Sequence, residues 1–203
     1  MRVASSAPSP HRGQARRDAI LVAATELIAE RGAAQLSMSA VARRAKASKE
    51  TLYRHFGDRT GLLVAALERF AANALGTVPP GAPDESLEEG LQRMGRWYLE
   101  LALRPEVLSF TRFVAGSAEE SPALGRAFTT LVTDPMVGAV RELLSAYGSP
   151  GDAAALAEAY LGLLQGKLWN RALLEPELRP TAAAIEAQAM RGARLMARAL
   201  GEG

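Results

Sequence analysis

With 203 residues, 48% of them hydrophobic and 23% charged, the chain is long enough for one or two compact domains and has a globular rather than a disordered or fibrous composition. It holds no cysteine, which excludes a disulfide framework, thiolate catalysis and sulfur-ligated zinc, and its two histidines, His11 and His55, lie far apart. The net charge of +2 is unevenly divided: residues 1–60 carry 11 Lys and Arg against 5 Asp and Glu, the remainder 13 against 17. A basic first part on an acidic remainder is what a phosphate-binding module produces, and a solvated basic face gives the same count.

The first ten residues lack the apolar run of a secretory leader, and no stretch reaches the ~20 apolar residues of a membrane-spanning helix. The expectation is a cytoplasmic protein, with no membrane partner and a disordered tail over residues 1–13. Every strong periodicity is helical and no alternation of period two is sustained, so the expected class is all-α.

Ile20, Ala24, Leu27 and Ile28 form the stripe of a first helix over about residues 15–31, ended by Gly32 in a left-handed cap. Ser37 caps a short helix carrying Val41, Ala42 and Ala45, and Ser48 caps another carrying Leu52 and Phe56, with only Lys46 and Ala47 between them. Asp58 starts a fourth helix with Leu62, Leu63 and Leu67 facing inward, until Gly76 and the Pro79-Pro80-Gly81-Ala82-Pro83 stretch break it. The expected domains are a three-helix helix-turn-helix over residues 14–60 and, joined through the fourth helix, a helical domain over 61–203.

Beyond the break, Ser86 and Glu89 offer a capping box. Arg104-Pro105, Ser121-Pro122, Asp134-Pro135 and Arg179-Pro180 each place proline where a helix would begin, and Asp152 caps another. Five or six further helices are expected, the last two over 152–175 and 181–200.

The stretch from Leu36 to Phe56, LSMSAVARRAKASKETLYRHF, followed by Gly57-Asp58-Arg59-Thr60-Gly61-Leu62, resembles the N-terminal signature of the TetR family of regulators. The likeness covers residues 16–67 and rests on Val41-Ala42, Ala45, Ser48, Thr51-Leu52-Tyr53, His55 and Phe56. Three departures stand out: Lys46-Ala47 where the family has Gly-Val, Glu50 where a small residue is usual, and Arg59 in place of the commoner Lys. Lys46 would then hold a left-handed conformation that glycine adopts for about 1 kcal/mol less. Glu50 is either a base reader, accepting from cytosine N4, or a partner of the helix dipole.

The resemblance implies that the third helix enters the major groove of double-stranded DNA, with Lys49, Glu50 and Thr51 facing base edges. Tyr53, His55 and Arg59 would hold phosphates, and Ser37, Arg44 and Ser48 complete the expected contacts; the alternative for Tyr53 and His55 is that they cover the small core. Arg16, Arg17 and Arg43 either grip the backbone or are solvated.

For the remainder, the resemblance implies a bundle formed by the last two helices with those of a second copy, through Leu156, Leu163, Leu164, Ile185, Leu195 and Met196, with Gly162, Gly166 and Gly192 allowing close approach. An intrachain core is the alternative. An effector pocket is expected around Trp97, Phe110, Phe113, Phe128, Met136 and Trp169, residue types that also simply pack cores. The implied function is a repressor that binds a palindromic operator as a homodimer and is released by a small molecule. The alternatives are an activator or a helical protein-interaction module.

No catalytic residue, metal site or cofactor is expected. Gly162-Leu163-Leu164-Gln165-Gly166-Lys167 is one residue short of a phosphate loop, and no dinucleotide turn or nucleophile beside a base is visible.

Overall fold

The computed structural model describes residues 10–76, 78–148 and 151–201, and among them there is no strand. Among the described residues ten α-helices follow one another: α1 (Pro10–Arg31), α2 (Met38–Arg44), α3 (Lys49–Phe56), α4 (Arg59–Leu75), α5 (Leu87–Ala102), α6 (Pro105–Gly116), α7 (Pro122–Phe128), α8 (Asp134–Ala146), α9 (Ala153–Leu174) and α10 (Ala182–Ala199). Among the described residues no helix is long and apolar enough to cross a membrane. Most of the expected tail lies outside the described residues, but its last part is already helix, because α1 begins at Pro10 rather than near residue 15.

The chain divides into two compact units, Met1–Arg69 and Phe70–Gly203, so the division falls inside α4 rather than at residue 60 or at the proline-rich stretch. In the first unit the apolar stripe of α1 (Ile20, Leu21, Ala24, Leu27) is buried, as are Val41 on α2, Leu52 and Phe56 on α3, and Leu62 and Leu63 on α4. Each fully buried leucine or isoleucine contributes about 1.5–3 kcal/mol through apolar area removed from water.

In the second unit α5 packs along α10, and α9 lies against α8 and α5. Its core joins Leu91, Met94 and Leu99 to Val140, Leu144, Tyr160, Leu164, Ala193 and Met196. Gly95 makes this pairing possible, since a Cβ there would lie 2.4 Å from the Tyr160 hydroxyl and 2.9 Å from Leu164 Cδ2. Tyr160 is fully buried and donates to the Leu91 carbonyl, and burial holds its phenol protonated well beyond the usual tyrosine range.

The connection into α5 is fastened by an ion pair. Arg93 donates to both oxygens of Glu85 at 2.7 Å and to the Pro79 carbonyl at 2.6 Å, while the Tyr147 hydroxyl donates to the Glu85 carbonyl at 2.7 Å. The capping box at the start of α5 is formed, with Ser86 N–H donating to Glu89 Oε2 at 2.8 Å.

Asp134-Pro135 opens α8 with proline in its first turn, and a π-helical turn at Thr129–Thr133 leads into it from α7. Such a widened turn lets the helical path continue where proline supplies no N–H. Pro180 precedes α10, whose cap is Thr181, accepting from the Ala184 N–H at 3.2 Å.

α9 is interrupted at Gly166, whose φ of 39° and ψ of −148° no helix accommodates. Side-chain amides occupy the carbonyls beside the break: Gln188 of α10 donates to Leu163 O at 2.7 Å and Asn170 to Gly166 O at 2.9 Å.

Candidate nucleic-acid interface and ligand cavity

Serine hydroxyls start both helices of the helix-turn-helix. Ser37 Oγ accepts from the Ala40 N–H at 3.2 Å and Ser48 Oγ from the Thr51 N–H at 3.1 Å, each satisfying an otherwise orphaned donor. Between them the Ala47 N–H returns to the Ala42 carbonyl at 2.9 Å, and the chain turns through Lys46 at φ 49°. Lys46 is the one non-glycine residue with positive φ among the described residues, and its carbonyl accepts from the Arg16 guanidinium of α1.

α3 is two-faced. Leu52 and Phe56 are buried, while Lys49, Glu50, Tyr53 and Arg54 are exposed, Tyr53 by 51%. None of these four side chains makes a hydrogen bond or ion pair with the described residues, so their functional groups face solvent. They form two rows along the helix, Lys49 above Tyr53 and Glu50 above Arg54. Arg54 was not singled out in the sequence, although its i+4 spacing from Glu50 was there to read. Glu50 stands in the first turn of α3, the place where an acid also complements the helix dipole.

Other members of the expected contact set are held within the unit. Thr51 is half-buried, its hydroxyl 2.8 Å from that of Ser48. Arg44 is a two-pronged clamp on Glu30 at 2.8 and 2.7 Å, with Glu26 at 3.3 Å, which ties α2 to α1; the guanidinium in turn holds the Glu30 carboxyl below its ordinary range. Arg59 is turned inward: its Nε donates to Leu36 O at 2.7 Å and its Nη2 to Ala33 O and Ala34 O at 2.9 and 3.0 Å. Three carbonyls of the 3₁₀ turn before α2 thus occupy the group that sequence reasoning aimed at phosphate, a pairing across more than twenty residues that no local pattern reveals.

His55 is half-buried, its ring 6.1 Å from that of Phe56, over which Arg17 lies at 5.5 Å. Burial, then the charges of Arg54, Arg17 and Arg16, push the imidazole below its ordinary pKa, so at neutral pH it is an uncharged donor and acceptor.

The second unit contains a cavity of about 360 Å³. Its walls come from the end of α4 (Phe70), α5 (Tyr98, Leu101), α6 (Val107, Thr111), the π turn (Val132, Thr133), α8 (Met136, Val137) and one face of α9 (Glu158, Leu161, Gln165, Trp169), with Phe128 between them. Of the six side chains expected at an effector site, Phe128, Met136 and Trp169 line it. Phe110 is stacked on Phe128 (centroids 6.5 Å apart, planes at 17°) and meets Phe113 edge-on, so both form a layer outside the wall, and Trp97 packs against the core. Phe70, Glu158 and Gln165 were missed; the signal for Gln165 was a polar residue within the apolar run Leu161–Leu168.

Of the six residues expected at a subunit interface, Leu164 and Met196 are consumed by the intrachain core, at 0% and 4% exposure. Leu156 and Ile185 are half-buried, and Leu163 and Leu195 are exposed, as are Met190 and Leu174. Gly192 does face α9, 3.0 Å from Leu164 Cδ2 by its absent Cβ, whereas Gly162 borders the cavity.

A capped, rigidly held helix with four unengaged side chains at its exposed face, in a unit separate from a hollow helical one, defines a helix-turn-helix regulator. Residues 20–66 match the family described as bacterial regulatory proteins, tetR family, and residues 89–202, more than half of the chain, match the C-terminal domain of AefR-like transcriptional repressors. A TetR-family transcriptional regulator from Mesorhizobium loti superposes with a TM-score of 0.82 at 24% identity, over 93% of this chain and 98% of that one. A TetR regulator from Agrobacterium tumefaciens does so with 0.75 at 26%, over 92% and 96%. An HTH-type transcriptional repressor of Mycobacterium tuberculosis is 38% identical over 78 residues, 38% of this chain; the chain spans 42% of that relative's length.

The chain belongs to the TetR family. It is a DNA-binding transcriptional regulator and not an enzyme.

Proposed function

We propose that this regulator is a cytoplasmic repressor that binds a palindromic duplex operator as a homodimer and leaves it when a small molecule fills the cavity of the second unit. The observation that carries the DNA reading is the exposed, unengaged set Lys49, Glu50, Tyr53 and Arg54 on α3. Lys49 and Glu50, nearest the helix N-terminus, read base edges, and Tyr53 and Arg54 hold the flanking backbone. Two-fold symmetry of the site would mirror that of a dimer, for which the exposed Leu163, Met190 and Leu195 on α9 and α10 offer apolar surface. The mainly apolar cavity, of a size that suits a drug-sized molecule, supports release by an effector.

The test is selection from random duplex DNA with the intact protein, followed by sizing of the complex. A two-fold symmetric site bound by two copies is the expected result. Failure to enrich any sequence refutes the reading, as does enrichment of an asymmetric site by a single copy. Fusing the enriched site to a reporter promoter then separates repression from activation.

A further inference from the structure

The charge of the cavity wall narrows what the cavity accepts. Resting on the reading of that cavity as the effector site, we infer that its ligand is an apolar organic cation, and that carboxylates are excluded.

Four aromatic side chains, Phe70, Tyr98, Phe128 and Trp169, line the hollow, and among the described lining residues Glu158 is the one that is charged, with no lysine or arginine beside it. An anion entering this space would lose its hydration with no cation to replace it. It would also meet the negative faces of the rings and the Glu158 carboxylate. A cation gains from both, through ring quadrupoles and through the carboxylate at the exposed edge of α9.

A second polar feature fixes orientation. Gln165 Nε2 donates to the Tyr98 hydroxyl at 2.7 Å, and neither side chain has another hydrogen bond among the described residues. Whichever way the amide faces, the pair leaves two donors and an acceptor unspent beside the cavity. Arg112, the nearby base on α6, donates to the carbonyls of Ala172 and Leu173 at 3.3 and 3.0 Å instead of lining the cavity. The ligand is therefore a molecule with an apolar body, one polar atom near Tyr98 and Gln165, and a positive end at Glu158.

Three probes of equal chain length test this: decyltrimethylammonium, decanol and decanoate, each below its micelle concentration, titrated into the full-length Trp97→Phe protein so that Trp169 is the sole fluorophore of its kind. The expected order of affinity is cation, then alcohol, then carboxylate. Glu158→Gln should weaken the cation about fivefold and leave decanol unchanged. Decanoate binding as tightly as decanol overturns the inference, as does a loss of decanol affinity equal to that of the cation in Glu158→Gln. If none of the three moves Trp169 fluorescence or displaces a bound operator, the effector reading of the cavity fails with it, whereas a wrong order of the three sinks only the charge preference.

Discussion

Residues 10–69 and residues 70–201 use their long polar side chains in contrasting ways. In the smaller unit Arg16, Arg44 and Arg59 each reach a partner distant in the chain, on Lys46, Glu30 and Leu36, and so tie together helices that also share an apolar core. In the larger unit the helices hold one another through leucine, methionine and Tyr160, and Glu158, Gln165 and Tyr98 line a space left unfilled. A surface that must match DNA needs side chains held to within a fraction of an ångström, which cross-links supply. A surface that must admit a molecule needs a hollow that the core does not close.

The contrast breaks most sharply if the smaller unit tolerates loss of its core. Leu52 has no exposed surface, and Leu52→Ala should lower stability by about 3 kcal/mol and abolish operator binding near the melting point of the variant. Thermal unfolding followed by circular dichroism checks it. Arg59→Ala should cost about 2 kcal/mol in denaturant unfolding and leave the salt dependence of DNA binding unchanged, because its hydrogen bonds are internal. Arg54→Ala should do the reverse, sparing stability and lowering the salt slope by about one. A reduced slope with unaltered stability for Arg59→Ala would restore that residue to the DNA surface.

The larger unit also has cross-links of the kind found in the smaller, among them Gln92 on Glu186 and Arg112 on the Ala172 and Leu173 carbonyls, and its most buried ion pair, Arg93 on Glu85, makes stability pH-dependent. Arg93 holds the Glu85 carboxyl below its ordinary value of 4.5, so as pH falls the unfolded chain takes up the proton first. The contribution is complete above about pH 4.5 and declines as pH drops toward the folded value. Arg93→Ala should lower stability at pH 7 by about 1.5 kcal/mol and flatten the acid limb of the stability profile. The smallest effect concerns the turn: Lys46→Gly should raise stability by about 0.5–1 kcal/mol by relieving a left-handed L-residue.

The helix-turn-helix was legible because its signals are local. Ser37, Ser48 and Asp58 cap helices within three residues of themselves, and the tight spacing of Lys46 and Ala47 forces the positive φ found there. The partners of Arg44 and Arg59 were not legible, since nothing in a linear pattern brings Glu30 or the 33–36 carbonyls to them. The cavity shows the same limit. Phe128, Met136 and Trp169 could be named from residue type, but which side of a helix faces the hollow depends on how α5, α6, α8 and α9 meet. That arrangement put Phe110 and Phe113 behind the wall and brought Phe70, Glu158 and Gln165 into it. Likewise Gly95, unremarkable in sequence, decides how closely α5 approaches Tyr160.

The break at Gly166 also sets how α9 answers to load. A continuous helix behaves as a stiff rod, and bending it anywhere means stretching its ladder. Here the interruption already exists, between Gln165 and Trp169, which both border the cavity. Two side-chain amides, Gln188 from α10 and Asn170, are its stays. Pressure on the wall from within is therefore concentrated at one joint, and α9 turns there as two short levers instead of flexing along its length.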